Sequence, residues 1–175
     1  MQHLKTLNSV RNNIQIDRVH IEVNNVCFFR CQMCNIWKNS ESSDKYVSVE
    51  KYGVFFKDLN RIFSNKEDII FTGGETLMRQ DLSSIISSAY SQGYRPHILS
   101  NGWLMTKSNI SKLIDSGLCS VSFSLDGIKS THDYIRGFKG SYERVMNAAE
   151  IIKKLNKDVK VDIITRNNGQ DNLRG

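Results

Sequence analysis

The sequence lacks the features that would insert it into a membrane or export it. Its longest apolar runs fall far short of the roughly 20 residues that a membrane span requires. The first residues, 1–16, have no apolar stretch after their basic residues, so they do not have the pattern of a signal peptide. We therefore expect a soluble, cytoplasmic protein with no membrane partner.

Two further absences narrow the class of protein. The chain has no low-complexity segment, no linker, and no alternation of aromatic and basic residues of the kind that marks a nucleic-acid-binding sheet. The formal net charge is +6, but the lysines and arginines are scattered along the chain. A mild basic excess of this kind fits an ordinary surface as well as an acidic partner. Nucleic acid is therefore disfavoured as a partner.

The length and composition are those of one globular domain. The chain has 175 residues, of which 39% are apolar and 24% are charged, enough for a single buried core. We expect an amino-terminal lead-in over residues 1–16 and one core domain over residues 17–175. The polar stretch after the last predicted strand has the composition of a loop, so we expect the domain to be incomplete at its carboxyl-terminal side.

Short β-rich runs alternate with stretches whose apolar residues recur at helical spacing. Ser48, Asp81 and Ser141 are placed to cap helices, and Gly93 and Gly117 are placed to end them. The predicted strands are Val19–Val23, Ile69–Phe71, His97–Leu99, Val121–Leu125 and Val159–Ile164. This alternation predicts an α/β fold, a parallel sheet with helical crossovers that curls as a partial (β/α) barrel.

Polar residues and glycines follow the predicted strands. Right-handed crossovers place the loops after all parallel strands at one end of a barrel, where active sites lie. We therefore expect the loops to converge on one site. The segments concerned are the cysteines after the first strand, Gly73-Gly74-Glu75, Ser100-Asn101 and Ser124–Asp126.

Three of the four cysteines, Cys27, Cys31 and Cys34, form the pattern C-x3-C-x2-C. Clustered thiols in a reducing compartment favour metal binding over disulfides, and thiolate ligands suit zinc or iron–sulfur clusters. A structural zinc site closes with four protein ligands, which here would require His20 or Cys119. A cubane cluster held by three cysteines would instead keep one iron open.

This motif and its surroundings resemble the radical S-adenosylmethionine (radical SAM) superfamily. The flanking CQMCNIWK is similar to the branch that includes MoaA-type enzymes and peptide-modifying enzymes with SPASM extensions. FTGGETLMR, LSNGWLM and VSFSLDGIKSTHDYIRGFKGSYERV resemble later segments of the same core, in the same order. The resemblance covers roughly residues 17 to 168 and implies about five of the usual six β/α units.

The resemblance also implies roles for particular residues. Cys27, Cys31 and Cys34 would hold a [4Fe–4S] cluster whose open iron binds S-adenosylmethionine. The adenine of that cofactor would contact Met33, and its ribose would contact Ser124. Its methionine part would lie against the backbone of Gly73 and Gly74. The ammonium group would bind Glu75 and the carboxylate would bind Arg136. Ser100 and Asn101 would face the same cavity and contact substrate or cofactor.

The implied activity is reductive cleavage of S-adenosylmethionine to a 5′-deoxyadenosyl radical, which takes a hydrogen atom from a substrate. The expected partners are an electron donor such as flavodoxin or ferredoxin, and a peptide or small-molecule substrate. Two alternatives remain at this point: a truncated, non-catalytic fragment that binds a cluster or zinc, and a nucleic-acid-binding zinc knuckle. The sequence also departs from the family pattern at Phe28, where asparagine is common, and at Thr76, where proline is common.

Overall fold

The structure is a computed structural model that describes residues 17–38, 46–62 and 68–165. The predicted lead-in over residues 1–16 and the polar tail over residues 166–175 lie outside these ranges. No helix among the described residues is both long and apolar enough to cross a membrane.

Five parallel strands form one sheet in sequence order, β1-β2-β3-β4-β5. This confirms the predicted α/β fold and the parallel arrangement of a partial (β/α) barrel. Each strand lies within a residue or two of its predicted position. The strands are β1 Arg18–Asn24, β2 Asp68–Gly73, β3 Arg95–Ser100, β4 Ser120–Ser124 and β5 Lys160–Ile164.

Helices connect the strands and lie against the sheet. Two short 3-10 helices, Ile36–Lys38 and Thr76–Met78, follow β1 and β2. Two α-helices, α4 and α5, lie between β4 and β5, so this crossover is more elaborate than the others. The α-helices are α1 Val49–Ile62, α2 Leu82–Ser91, α3 Lys107–Asp115, α4 Lys129–Arg136 and α5 Ser141–Leu155.

The core lies between the helices and one face of the sheet. Side chains alternate between the two faces of a strand, and alternate residues of the central strands, such as Ile98 and Phe123, are fully buried. They share one hydrophobic cluster with apolar residues of the helices, including Phe56, Ile85 and Ile152. Burial of this face therefore fixes the register of the strands and brings their carboxyl ends together at one edge.

Two predicted helix caps differ from the observed ones. Asp81 does precede α2, but its carboxylate makes no capping hydrogen bond and instead pairs with Arg79, whose Nε lies 2.7 Å from Oδ1. Ser141 is the first residue of α5 and follows the N-cap, Gly140. Its hydroxyl donates to Asp133 Oδ1 over 2.8 Å. The capping prediction for Ser141 was therefore wrong, because a carboxylate from the preceding helix takes its hydroxyl.

Candidate cofactor site at the carboxyl ends of the strands

A cavity of about 400 Å³ opens at the carboxyl ends of the strands. It brings together residues from loops that are far apart in sequence, as the topology predicts. Eight of the nine residues predicted to bind a cofactor or metal line this cavity, and Glu75 is the exception. The eight are Cys27, Cys31, Met33, Cys34, Gly73, Gly74, Ser124 and Arg136.

The cysteine loop follows β1 and is held against the end of α4. Gln32 N–H donates to the carbonyl of Ile135 over 3.0 Å, and a turn closes the loop where Cys34 N–H donates to the carbonyl of Cys31 over 3.1 Å. The backbone conformation at Gly137 is left-handed, with φ of 61°. A side chain at this position would place a Cβ 2.6 Å from the carbonyl oxygen of Arg30. Glycine therefore allows α4 to end directly against the cysteine loop.

Gly73 and Gly74 are required by a close approach between β2 and the segment that leads into the cysteine loop. A Cβ at Gly73 would lie 2.0 Å from the carbonyl oxygen of Asn24, and one at Gly74 would lie 2.0 Å from that of Val26. The adjacent Glu75 N–H donates to the carbonyl of Val26 over 2.8 Å. The glycine pair thus positions the cysteine loop, in addition to lining the cavity.

Glu75 is held by residues at the end of β3. Its side chain is buried, with the residue only 1% exposed, and its carboxylate is turned towards the end of β3. Oε1 accepts hydrogen bonds from Ser100 Oγ over 2.9 Å and from the Leu77 N–H over 3.2 Å. Oε2 accepts from the Asn101 N–H over 2.8 Å. In this geometry Glu75 orders the β3 loop, and its side chain is not among those that line the cavity.

Ser100 and Asn101, the two residues after β3, both line the cavity. The hydroxyl of Ser100 is engaged by Glu75 and by the Gly102 N–H, which donates to it over 3.0 Å. The side-chain oxygen of Asn101 accepts from the Trp103 N–H over 3.0 Å. Its amide nitrogen is buried and has no hydrogen-bond partner among the described residues. A buried donor costs free energy until it finds an acceptor, and a ligand in the cavity would supply one.

Arg136 extends from the last turn of α4 into the cavity wall. Its Nε lies 2.6 Å from Oδ2 of Asp126, and both side chains are largely buried. Its Nη1 lies 3.9 Å from Sγ of Cys31. The Asp126 N–H in turn donates to Nδ1 of His132 over 3.1 Å. Asp126 was expected only as part of the segment Ser124–Asp126 near the site, and neither α4 nor a role for His132 was predicted. The signal was present, since Ile128, His132 and Ile135 have helical spacing and Gly137 follows them.

The electrostatics of the cysteine loop do not favour free thiolates. Burial is the main cause that raises the pKa of Cys27 to about 11. Burial also raises the pKa of Cys31, although the nearby Arg136 acts in the opposite direction. A bound metal deprotonates its thiol ligands outright. Any metal ion bound at this loop would therefore have to displace the thiol protons.

Four aromatic rings pack beside the cysteine loop. Phe29 is 1% exposed and stacks on Phe138, with ring centroids 4.4 Å apart and an interplanar angle of 11°. Trp103 packs edge-on against Phe138 at 4.5 Å, and Phe28 does so at 5.6 Å. The departure at Phe28 therefore has a structural role, because its ring extends a contact between the cysteine loop and the residues after α4.

The departure at Thr76 also has a role that proline could not fill. Thr76 is fully buried, and its hydroxyl donates to the carbonyl of Leu99 over 2.9 Å. This hydrogen bond connects the segment after β2 to the end of β3. Together with the Glu75 contacts, it fixes one side of the cavity.

The geometry does not favour the zinc site considered above. Cys119 lies just before the first residue of β4, the strand end opposite to the one that carries the cavity, and its thiol contacts the carbonyl of Gly117. His20 lies in the middle of β1 and pairs with Ile70. Within the described ranges, no three side chains of the ligand-forming types converge closely enough to hold a single metal ion.

Comparison with known proteins agrees with this geometry. The model of the Radical SAM superfamily matches residues 21–171. Fe-coproporphyrin III synthase from Methanosarcina barkeri (strain Fusaro / DSM 804) is 33% identical over 120 residues, which cover 69% of this chain and 30% of that protein. The AdoMet-dependent heme synthase from Oleidesulfovibrio alaskensis (strain ATCC BAA-1058 / DSM 17464 / G20) is 29% identical over 149 residues, or 84% of this chain and 38% of the relative.

A solved structure shows the same fold. The crystal structure of Streptococcus suis SuiB bound to the precursor peptide SuiA has a TM-score of 0.74, with 16% sequence identity over 95% of this chain and 37% of that one. This chain spans less than half the length of either curated relative. Because the family model covers most of the described residues, we conclude that the chain belongs to the radical SAM superfamily, whose enzymes bind a [4Fe–4S] cluster and S-adenosylmethionine.

Proposed function

We propose that this protein is a radical SAM enzyme in which Cys27, Cys31 and Cys34 hold a [4Fe–4S] cluster with one open iron. The observation that supports this most strongly is that the three cysteines line one cavity together with the other residues expected to bind S-adenosylmethionine. Three thiolates leave one iron of a cubane without a protein ligand. We further propose that residues 17–175 form the core that carries this site.

The other cavity residues suit the parts of S-adenosylmethionine. Met33 is half-buried in the wall, where its soft thioether can pack on the adenine ring. Gly73 and Gly74 present backbone without side chains to the methionine part. Ser124, at the end of β4, offers a hydroxyl to the ribose, and Arg136 offers a planar, bidentate guanidinium to the carboxylate.

Glu75 would then act on the cofactor indirectly. Its carboxylate holds Ser100 and the Asn101 backbone in place, and the free amide nitrogen of Asn101 lies beside the cavity. A direct bond from Glu75 to the cofactor ammonium would require its carboxylate to leave these partners. We therefore propose that Glu75 shapes the ammonium subsite and that backbone carbonyls nearby accept the hydrogen bonds.

When bound and reduced, the cluster supplies the electron that cleaves the carbon–sulfur bond of S-adenosylmethionine and yields a 5′-deoxyadenosyl radical for hydrogen abstraction. The chain contributes orientation and protection from water. Phe29 is buried beside the cysteines, and its stacking on Phe138 closes that side of the loop. We propose that this aromatic contact keeps solvent away from the cysteine side of the cavity.

The partners and the location are proposed on the same basis. A cytoplasmic location, with flavodoxin or ferredoxin as electron donor, suits thiols that must stay reduced to bind iron. The substrate is proposed to be a peptide or a small molecule. Both classes occur among similar proteins, since SuiB was solved with a precursor peptide and the curated relatives are named for porphyrin chemistry.

The test is turnover of S-adenosylmethionine by the reconstituted protein. After anaerobic loading with iron and sulfide, the protein should form 5′-deoxyadenosine when dithionite and S-adenosylmethionine are added. Cys31→Ala should abolish this product, because the cluster would lose one of its three ligands. Cys119→Ala is the matched control and should leave the product unchanged, since Cys119 lies before β4 and away from the cavity.

If the chain is instead a truncated, non-catalytic fragment, the same experiment should give a different result. A cluster that binds S-adenosylmethionine but yields no 5′-deoxyadenosine would indicate a non-catalytic core. One zinc per chain, with no absorbance from an iron–sulfur cluster, would contradict the proposed function altogether.

A further inference from the structure

Arg136 and Asp126 form an ion pair that is almost entirely removed from solvent. Nε of Arg136 lies 2.6 Å from Oδ2 of Asp126, and their side chains are 12% and 1% exposed. Charges are rarely buried unless each has a partner, because removing an ion from water is costly. Apolar residues of similar volume are often at least as stabilising as a buried ion pair, so a functional role for this pair is worth testing.

The remaining nitrogens of Arg136 belong to the cavity. A guanidinium offers five N–H donors in a rigid plane, and the contact with Asp126 is made at Nε. Nη1 lies 3.9 Å from Sγ of Cys31, and the residue lines the cavity. The Arg136 guanidinium thus contacts the carboxylate of Asp126 and the thiol of Cys31. The same side chain also lines the cavity.

Asp126 is itself held in place by α4. Its N–H donates to Nδ1 of His132 over 3.1 Å, six residues further on. His132 is 1% exposed, so this contact is protected from water. Asp126 and Arg136 thus lie at the two ends of the segment that contains α4, and one guanidinium contacts both Asp126 and Cys31.

We propose that Asp126 is a positioning residue, which holds the Arg136 guanidinium between Cys31 and the cavity so that Arg136 raises the reduction potential of the cluster and binds the S-adenosylmethionine carboxylate. The inference rests on the proposed function, because it requires a cluster on the three cysteines. It adds a role for Asp126, which makes no contact with the cavity itself. Positive charge and N–H donors near cluster sulfurs stabilise the reduced state.

A double-mutant cycle tests whether Asp126 acts through Arg136. The affinity of the reconstituted protein for S-adenosylmethionine is measured by equilibrium dialysis in four forms: wild type, Asp126→Asn, Arg136→Gln and the double variant. Loss of a charge-assisted contact should weaken binding by at least about tenfold in each single variant. Asp126→Asn should cause little further loss in the Arg136→Gln background, because the group that it positions is already gone.

The cluster potential supplies a second readout that does not depend on turnover. A potentiometric titration followed by electron paramagnetic resonance (EPR), without S-adenosylmethionine, should give a more negative midpoint for Arg136→Gln than for wild type. Asp115→Asn, an exposed residue at the end of α3, is the control for removal of a carboxylate and should change neither quantity. Iron content per chain shows that each variant still holds its cluster.

Several results would overturn the inference. Equal losses from Asp126→Asn in both backgrounds would show that Asp126 acts independently of Arg136, and an unchanged midpoint in Arg136→Gln would remove the link to the cluster. If Asp126→Asn does not fold, the affinity of Arg136→Lys for S-adenosylmethionine is measured instead. Lysine keeps the positive charge but lacks the planar guanidinium that can contact Asp126 and the cofactor at the same time. Wild-type affinity in Arg136→Lys would therefore contradict the proposal. A wild-type protein that holds no cluster would contradict the proposed function itself, and this result is distinguishable from a failure of the role proposed for Asp126.

Discussion

The carboxylate of Glu75 accepts a hydrogen bond from the backbone N–H of Asn101, with Oε2 2.8 Å from the nitrogen across 26 residues of sequence. This contact joins the loop after β2 to the loop after β3. It gives the glutamate of the Gly-Gly-Glu segment a structural task that the sequence pattern does not reveal.

Glu75→Gln should destabilise the fold, because an amide NH2 group cannot accept the hydrogen bonds that one carboxylate oxygen accepts. Loss of one buried hydrogen bond of this kind costs about 1–3 kcal/mol. Urea denaturation of the apoprotein measures this loss without any cofactor. Glu150→Gln, at an exposed position on α5, should change the free energy of unfolding by less than about 0.5 kcal/mol. A Glu75→Gln variant of wild-type stability that nevertheless binds S-adenosylmethionine poorly would instead support a direct contact.

Gly137→Ala should loosen the cysteine loop. The position has φ of 61°, and its new Cβ would lie 2.6 Å from the carbonyl oxygen of Arg30. A left-handed conformation alone costs a residue with a Cβ about 1–2 kcal/mol, and relief of the clash would move the loop. The variant should therefore be less stable to urea and should retain less iron per chain after reconstitution.

Gly53→Ala is the control for that substitution. Gly53 lies within α1, and its added Cβ would be no closer than 3.5 Å to Ser88 Oγ, an ordinary contact. Alanine is the better helix former by about 0.5–1 kcal/mol, so this variant should gain stability and keep its iron. Equal iron loss in both glycine variants would contradict the assignment of Gly137 to the docking of the loop.

Asp133 joins the two helices between β4 and β5, and its contribution should depend on pH. Its carboxylate accepts hydrogen bonds from the Gly140 N–H, the Tyr142 N–H and the Ser141 hydroxyl. Burial opposes ionisation, but these hydrogen bonds outweigh it, and the pKa of Asp133 is lowered. A carboxyl with a lowered pKa in the folded state stabilises the fold above its unfolded pKa, which is about 3.9, and loses that contribution as the pH falls through the folded value.

Asp133→Asn should therefore cost about 1–2 kcal/mol near neutral pH, and the difference from wild type should shrink as the pH falls below about 4. Chemical denaturation at several pH values measures it. Asp158→Asn provides the comparison, because Asp158 is exposed in the turn before β5, and it should have little effect at any pH. A difference that grows towards low pH would show that the sign of the pKa shift is wrong.

Much of this architecture could be predicted from the sequence because the signals are local. The five strands are short apolar runs bounded by turn residues, and the helices before Gly93 and Gly117 end where glycine allows the chain to turn. The convergence of Cys27 with Arg136 could also be predicted, since parallel strands bring their following loops to one end.

What the sequence did not reveal depends on contacts between distant segments. The orientation of Glu75 depends on donors 25 and 26 residues away, which no local pattern encodes. Helix α4 was missed because its short sequence is polar, and Asp133 displaced Ser141 from its expected cap for a similar reason. The need for glycine at Gly73 and Gly74 depends on the carbonyls of Asn24 and Val26, which are about 50 residues away in sequence and leave no room for a Cβ.

The most direct test of the central claim, that Cys27, Cys31 and Cys34 hold a cluster whose open iron binds S-adenosylmethionine, is an EPR measurement on the reduced, reconstituted protein. We expect the signal of a reduced [4Fe–4S] cluster that changes shape when S-adenosylmethionine is added and is absent in Cys31→Ala. A signal that S-adenosylmethionine leaves unchanged, or zinc in place of iron, would contradict it.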